Sequence, residues 1–211
     1  MPRPKKRRIF LQAPKLKWEF IRQRAEDFRR KYVHPLNLVP VPIIEITELK
    51  LGIQPIPIAG LKRRIDIDGF LTKDLKYICI DLEVYMDERQ TNRLRFTYAH
   101  EIGHLILHEN EIKQCDFRTP EDWIHFHQDF LSDDLNWFEQ QAYEFAGRLL
   151  VPRDELIREI QKYQDKINKY RSIIGEGEEE LTEAISRLIC NRFKVSGTVI
   201  QKRIRKEKIR I

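Results

Sequence analysis

The sequence predicts an α+β fold, with a small β-sheet packed on helices in the first two thirds of the chain and only helices after it. Three observations support this class. Residues 53–84 alternate apolar and polar side chains between turn signals, which is typical of short strands. Residues 89–108 and 135–150 carry apolar side chains at helical spacing. Beyond residue 153 the patterns are helical.

The first elements precede a histidine-rich segment. Residues 17–33 predict an amphipathic helix, because their apolar side chains recur at near-helical spacing. Residues 34–43 hold too many prolines for a regular element. A short helix over residues 43–52 is expected to end at Gly52. Residues 53–84, with Asp-Gly and Lys-Asp turn signals, predict two or three antiparallel strands, of which the last is YICIDL.

The later elements are helical. A helix that carries three histidines is expected over about residues 89–108. Residues 110–136 are acidic and aromatic, and we expect them to be irregular. The segment LNWFEQQAYEFAGRLLVP predicts a second long helix that closes before Pro152. A helix over roughly residues 153–172 and another that starts near Glu178 complete the chain.

The composition is that of a globular domain with a sizeable core, since 41% of the 211 residues are hydrophobic and 34% are charged. Three widely spaced cysteines form no CxxC pair, so we expect no disulfide framework and a cytoplasmic location; they are Cys79, Cys115 and Cys190. The apolar runs are shorter than a membrane span, so we expect no membrane contact. No apolar stretch follows the basic N-terminus, so a secretory signal is not expected.

Basic residues are concentrated at the two ends of the chain. Residues 1–18 hold seven Lys or Arg and no acid, and residues 202–211 hold six against one acid, although the net charge is only +6. The basic tail over residues 1–16 is either merely solvated or a contact for nucleic acid or another polyanion. Residues 109–144 hold ten Asp or Glu against two basic residues. This acidic segment either flanks a cleft and favours a basic substrate segment or is ordinary solvated surface.

The segment RLRFTYAHEIGHLILHE suggests a metal site, because His100 and His104 stand four residues apart with Glu101 after the first. In a helix, side chains at i and i+4 lie on one face with Cβ atoms about 5–6 Å apart. Two imidazoles can therefore reach one Zn²⁺ at about 2.0–2.1 Å. Glu101 lies about 100° round the helix axis, beside the metal, where a base can take a proton from water. The alternative is an ordinary helix that carries histidines.

Neighbouring residues refine this hypothesis. Phe96 and Ala99 make the histidine face apolar, so we expect it to be buried, where unpartnered imidazoles are costly. Gly103 weakens a helix by about 1 kcal/mol relative to Ala, which a helix tolerates where a substrate strand or a sheet edge approaches closely. His108 lies about 12 Å from His100 along the axis. We therefore expect His108 to pack or to form hydrogen bonds rather than to bind the same metal.

A catalytic zinc site needs a third protein ligand and an open position. Glu139 and Glu144, both on the second long helix, are the candidates. We favour Glu139, because it shares a helix face with Tyr143 and Glu144 does not. The alternative role for Glu139 is that of a first-turn acid that complements the helix dipole.

A second metal site is not expected. His125 and His127, with Cys115 upstream, fit no common zinc spacing. We interpret these two histidines as surface or packing residues.

The C-terminal residues have the outline of a helix-turn-helix unit. One helix ends near Phe193, and Ser196 can cap a second helix after a short turn. Lys194 stands at the turn position where Gly is usual. The second helix is rich in side chains suited to phosphates, namely Lys202, Arg203, Arg205 and Lys206. The alternatives to DNA binding are a packing role and substrate docking.

The segments RLRFTYAHEIGHLILH and EQQAYEFAGRLLVP together resemble the ImmA/IrrE family of zinc metallopeptidases. Members of that family typically show R-x-R-F-T-x-A-H-E-x-G-H followed by E-x-x-A-N-x-F-A-x-x-L-L-x-P, and the resemblance covers roughly residues 20–205. It implies a zincin-like core, in which a small antiparallel or mixed sheet packs on the His-Glu-x-x-His helix and a second ligand helix. The implied organisation is a peptidase domain over residues 17–152 and a helix-turn-helix-like unit over residues 153–211.

The resemblance also implies roles for particular residues. His100, His104 and Glu139 would bind zinc, and Glu101 would be the catalytic base. Tyr143 stands where the family usually has Asn or Asp, so it could donate to a substrate oxyanion, accept from a histidine, or pack. A ligand set of two histidines and a glutamate with an adjacent base favours zinc over manganese or iron.

The implied activity is a zinc-dependent endopeptidase that cleaves a specific protein, a transcriptional repressor of the helix-turn-helix type, in stress response or in control of a mobile element. The alternative function is a DNA-binding transcriptional regulator, with contacts through the basic C-terminal helix or N-terminal tail and a structural or vestigial metal site.

Overall fold

The computed structural model describes residues 13–114, 132–174 and 177–211, and it confirms the α+β class. The first elements are α1 (Trp18–Tyr32), α2 (Ile43–Glu45, continued as a π-helix over Ile46–Lys50), β1 (Gln54–Ile58), α3 (Leu61–Ile65), β2 (Gly69–Leu71), β3 (Tyr77–Asp81), α4 (Leu82–Met86) and a 3-10 turn (Glu88–Gln90). They are followed by α5 (Thr91–Leu107), α6 (Glu109–Gln114), α7 (Ser132–Leu150), α8 (Arg153–Gln161), α9 (Gln164–Ile174), α10 (Glu178–Phe193) and α11 (Gly197–Glu207).

The sheet is mixed, with β3 in the centre. Strand β2 pairs with β3 in the antiparallel direction, as predicted, whereas β1 runs parallel to β3 because the chain returns to the sheet through α3. Gln54 donates its backbone N–H to Lys76 on the β3 side. Pro55 and Pro57 therefore place their missing donors on the open edge, which is where a strand tolerates proline. The expectation of purely antiparallel pairing fails for β1.

Helices α5 and α7 form the centre of the molecule and carry the histidine motif and the second predicted ligand segment. They touch at Gly103, where a Cβ would lie 3.0 Å from the Ala142 carbonyl oxygen and 3.1 Å from the Ala142 Cα. The expected close approach of another backbone at Gly103 is therefore confirmed, but that backbone belongs to a helix and not to a substrate strand or a sheet edge. Helix α1 is tied to α7 by Arg29, which is buried and donates to the Leu149 carbonyl at 3.0 Å.

The C-terminal helices pack back onto this centre. The single helix predicted over residues 153–172 is two helices, α8 and α9, separated by a turn at residues 162–163. The predicted turn between α10 and α11 is present. Lys194 adopts the left-handed conformation there, with φ of 53°, and the Ser196 hydroxyl accepts the Val199 N–H at 3.3 Å as the cap of α11. The boundary predicted at residue 153 stays a prediction.

Several predictions fall wholly or partly outside the described residues. These are residues 1–12 of the basic tail and most of the acidic segment over residues 109–144. The residues considered for a second metal, namely Cys115, His125 and His127, also lie outside. The part of the predicted irregular region that the structure describes is helical, since it contains α6 and the start of α7. In the described parts of the chain, no helix has the length and apolar character needed to cross a membrane.

Candidate metal centre and active-site cleft

The structure brings the three predicted metal ligands together. His100 and His104 project from adjacent turns of α5, and Glu139 projects from the facing helix α7. The Nε2 atoms of the two histidines are 3.0 Å apart, and Glu139 Oε2 is 3.0 Å from His100 Nε2. Glu139 Oε1 is 3.7 Å from His104 Nε2. A tetrahedral ion with bonds of about 2.0–2.1 Å separates its ligands by roughly 3.3 Å, so the three side chains fit zinc.

The charges in this group also suit a cation. Burial alone would raise the pKa of Glu139, but its hydrogen bonds to His100 and His104 and their positive charge hold that pKa well below its usual range. Burial lowers the pKa of His100, and the hydrogen bond to Glu139 and the Glu139 charge outweigh it, so the net pKa is raised. The carboxylate is therefore held in its ionised form, which is the form that binds metal.

A chain of hydrogen bonds fixes the tautomer of His104. Gln141 donates its amide N–H to the Pro14 carbonyl at 2.7 Å, so its Oε1 accepts from His108 Nε2 at 3.2 Å. Because His108 Nε2 carries the proton, His108 Nδ1 has a free lone pair. This nitrogen accepts a hydrogen bond from the N–H at His104 Nδ1, at 3.0 Å. With Nδ1 held by His108, Nε2 is the nitrogen of His104 that faces Glu139, and it can bind a metal in place of its proton.

His108 is well suited to this relay because it stays neutral. It is fully buried, and burial followed by repulsion from His104 lowers its pKa to about 3. The expectation that His108 forms hydrogen bonds rather than binding the same metal agrees with this geometry. Sequence reasoning missed Gln141, whose side chain is also fully buried, because no spacing rule relates it to the histidine motif.

The relay predicts that Gln141→Leu weakens metal binding at this site, measured with zinc, by about 10-fold to 100-fold, as expected when the group that orients a metal-bound histidine is lost. The leucine cannot accept from His108, so the tautomer of His104 is no longer fixed. The measurement is a competitive titration with a chelator of known affinity. Gln140→Leu, at the exposed neighbouring position, is the matched control. Equal zinc affinity in the two folded variants would show that the relay does not act on the metal.

Glu101 lies beside the ligands and does not join them. Its side chain is buried and lines the same cleft of about 180 Å³ as His100, His104 and Glu139. Burial raises the pKa of Glu101, and the nearby histidines and a hydrogen bond from the Leu71 backbone oppose the rise only partly. Strand β2 thus positions the Glu101 carboxylate through this hydrogen bond. The raised pKa makes Glu101 a better proton acceptor than an exposed glutamate.

Tyr143 stands at the mouth of the cleft with half of its surface exposed. Its ring centroid lies 4.5 Å from that of His100 and 5.8 Å from that of Phe96. Burial and the charge of Glu139 raise the pKa of its phenol to about 12, so the hydroxyl keeps its proton. The buried Nδ1 of His100 has no partner within the described parts of the chain, so Tyr143 does not accept from it. Packing on His100 and donation to a substrate oxygen remain as roles.

Glu144, the competing candidate ligand, has a structural role. It is buried and forms ion pairs with Arg148 at 2.6 Å and Arg203 at 3.2 Å. Arg203 is only 3% exposed and also pairs with Glu207. The expectation that Arg203 contacts phosphates is therefore wrong, because its guanidinium is enclosed by carboxylates. The other three basic residues of that set are exposed, and their contact with nucleic acid stays a prediction.

A family model places this geometry among known proteins. The model described as Peptidase_M78, the IrrE N-terminal-like domain, matches residues 82–205, which is more than half of the chain. The matched region contains the complete candidate metal centre and Glu101. No curated protein matches the chain significantly.

Proposed function

The chain belongs to the Peptidase_M78 family of IrrE N-terminal-like domains, and we propose that it is a zinc-dependent endopeptidase. One observation carries this proposal. Two imidazole nitrogens and a carboxylate converge at 3.0–3.7 Å next to a buried glutamate that is not part of the group. A purely structural metal site has no use for such a carboxylate at its side.

Each residue of the cleft has a separate role in the proposed amide hydrolysis. His100, His104 and Glu139 would hold a zinc ion, which when bound would supply Lewis acidity to water and to the substrate carbonyl. Glu101 accepts the proton of the attacking water and returns it to the leaving amine, which lets one carboxylate serve both halves of the reaction. Tyr143 retains its proton and lies at the mouth of the cleft, where it can donate to the oxygen of the scissile carbonyl.

The specific substrate is part of the proposal and rests on the family resemblance. We expect a transcriptional repressor of the helix-turn-helix type, cleaved in the cytoplasm during a stress response or in control of a mobile element. The free thiols of Cys79 and Cys190 suit that compartment. A DNA-binding regulator with a structural metal is less well supported, because Arg203 is buried and Glu101 would then have no role.

The test of the metal centre is the zinc content of purified protein. Wild type is expected to bind one zinc per chain, and His104→Ala is expected to lose it, because two of three protein ligands do not hold the ion tightly. His34→Ala, which changes an exposed histidine outside the candidate ligand group, is the control. Reconstitution with manganese and iron(II) tests the choice of metal. Stoichiometric zinc in His104→Ala would refute the ligand set.

A further inference from the structure

Two lysines on α11 face a groove that leads out of the active-site cleft, and hydrolysis itself does not use them. The groove encloses about 940 Å³ and is bounded by the start of α1, by α5, by α7 and by α11. Phe96 and Tyr143 line both the groove and the cleft that contains His100. A chain that leaves the cleft past Tyr143 therefore enters the groove directly.

The lysines are Lys202 and Lys206, and both are exposed. Neither forms an ion pair with a carboxylate in the described portion of the chain. Each ammonium group lies over an aromatic ring instead. The Nζ of Lys202 is 6.0 Å from the Tyr143 ring centroid, and the Nζ of Lys206 is 4.3 Å from the Trp18 ring centroid. An aromatic face positions a cation without neutralising it, so both charges are available to an anion.

Other cations of the groove are already engaged. Arg93 forms an ion pair with Asp68 at 2.6 Å. Arg89 pairs with Asp87 at 2.9 Å. Arg203 is buried against Glu144, and Arg205 pairs with Glu179. The available positive charge thus comes from Lys202 and Lys206, which lie one helical turn apart on one face of α11.

We propose, on the basis of the proposed endopeptidase function, that this groove docks an extended segment of the protein substrate with acidic residues at two alternate positions, Asp/Glu-x-Asp/Glu. The spacing carries this choice. Residues at i and i+4 of a helix are about 6 Å apart along the axis. Side chains at i and i+2 of an extended chain point to the same side about 6.6–6.8 Å apart. Two alternate carboxylates therefore match the spacing at which Lys202 and Lys206 leave α11.

The geometry also limits how far the acidic pair lies from the scissile bond. The His100 ring touches the Tyr143 ring, and the Lys202 ammonium touches the same ring. These two contacts together reach at most on the order of 10 Å, which about three residues of extended chain cover. The first acidic residue is accordingly expected within about three residues of the cleaved bond, and the second two residues further.

A peptide is a better occupant of this groove than DNA. The groove is continuous with the catalytic cleft, where a peptide substrate must bind and duplex DNA is not a substrate. Tight DNA binding usually draws on about 6–10 phosphate contacts. Among the residues that the structure describes, α11 offers two cations without a carboxylate partner, because Arg203 is buried and Arg205 is paired. Trp18, Phe96 and Tyr143 add apolar surface for the side chains between the acidic residues.

The experiment is a cleavage profile on a proteome-derived peptide library, with products identified by mass spectrometry. Wild type, Glu101→Gln and the double variant Lys202→Glu/Lys206→Glu are compared. The matched control is Lys166→Glu/Lys169→Glu, which makes the same charge change on exposed lysines of α9, one of them also over an aromatic ring. Wild type is expected to prefer Asp or Glu at the two alternate positions.

The double variant at 202 and 206 is expected to cleave such peptides about tenfold more slowly, with a smaller difference at high salt, while sites without acidic residues are cleaved at an unchanged rate. The control pair should behave as wild type. A wild-type profile with no acidic preference would overturn the proposal, as would a preference that survives in the 202 and 206 variant or disappears equally in the control.

Direct binding separates this proposal from the function on which it rests. If no product depends on Glu101, the endopeptidase function fails, and fluorescence anisotropy then decides the groove. The probes are a labelled 12-residue peptide with two glutamates at alternate positions and an isomer with the glutamates five apart. Preferential binding of the first, lost in Lys202→Glu/Lys206→Glu, supports the groove as an acidic-peptide site. Equal binding of both peptides, or tighter binding of a labelled 20-base-pair DNA duplex that the same variant loses, overturns it.

Discussion

Glu101→Gln is expected to abolish detectable hydrolysis while zinc stays bound. General acid–base catalysis by a positioned side chain contributes about 10²–10⁴-fold to a rate, and Glu101 is the carboxylate placed beside the ligand group to supply it. Glutamine has nearly the same shape and can still accept from the Leu71 N–H, so the cleft should keep its form. It cannot take a proton from water. The measurement is the rate of product formation from the peptide library together with the zinc content of the same sample.

The control for this prediction is Glu83→Gln, an exposed glutamate on α4 outside the cleft, which should leave both quantities unchanged. Two results would contradict the assignment. Loss of zinc in Glu101→Gln would make Glu101 a ligand rather than a base. Cleavage at the wild-type rate with zinc retained would place the base elsewhere in the cleft.

Local sequence spacing was sufficient to locate this site. The His100, Glu101 and His104 positions follow from helix geometry alone, because side chains four apart share a face whatever the rest of the fold does. Glu139 required a further guess about which face of α7 turns towards α5. Its shared face with Tyr143 pointed the right way, and both side chains do lie at His100.

What the sequence could not supply depends on contacts between distant segments. The relay that orients His104 ends on the Pro14 carbonyl, which lies 127 positions before Gln141, and no periodicity encodes such a pair. The parallel direction of β1 depends on how the chain returns through α3. Gly103 predicted that another backbone comes close, but only the structure shows that this backbone belongs to α7.

The charge pattern of α11 gave a wrong prediction for Arg203 for a related reason. A row of Lys and Arg looks the same in the sequence whether each side chain faces solvent or a neighbouring helix. Lys202, Arg205 and Lys206 face outward, but Arg203 lies on the face that packs against α7. A buried guanidinium requires carboxylate partners, and the structure provides one in Glu144, so Arg203 has a structural role.

Arg203→Met is therefore expected to lower the free energy of unfolding by about 3 kcal/mol, the smaller end of the cost of removing one partner from a buried ion pair. The variant would leave Glu144 and Glu207 buried with one guanidinium between them. Arg148, at 2.6 Å and 2.9 Å from these carboxylates, can compensate in part, which is why the larger losses seen for isolated pairs are not expected. The measurement is denaturant unfolding at neutral pH.

Arg205→Met is the matched comparison, since it removes the same charge from the same helix at an exposed position, where the described residues provide exposed Glu179 as the partner. Its loss should be much smaller, because exposed ion pairs contribute little. Since α11 packs on the helix that carries Glu139 and Tyr143, Arg203→Met should also make cleavage more sensitive to temperature than Arg205→Met does. An Arg203→Met variant as stable as wild type that instead lost affinity for duplex DNA would reverse this account and restore the phosphate-binding role that the sequence suggested.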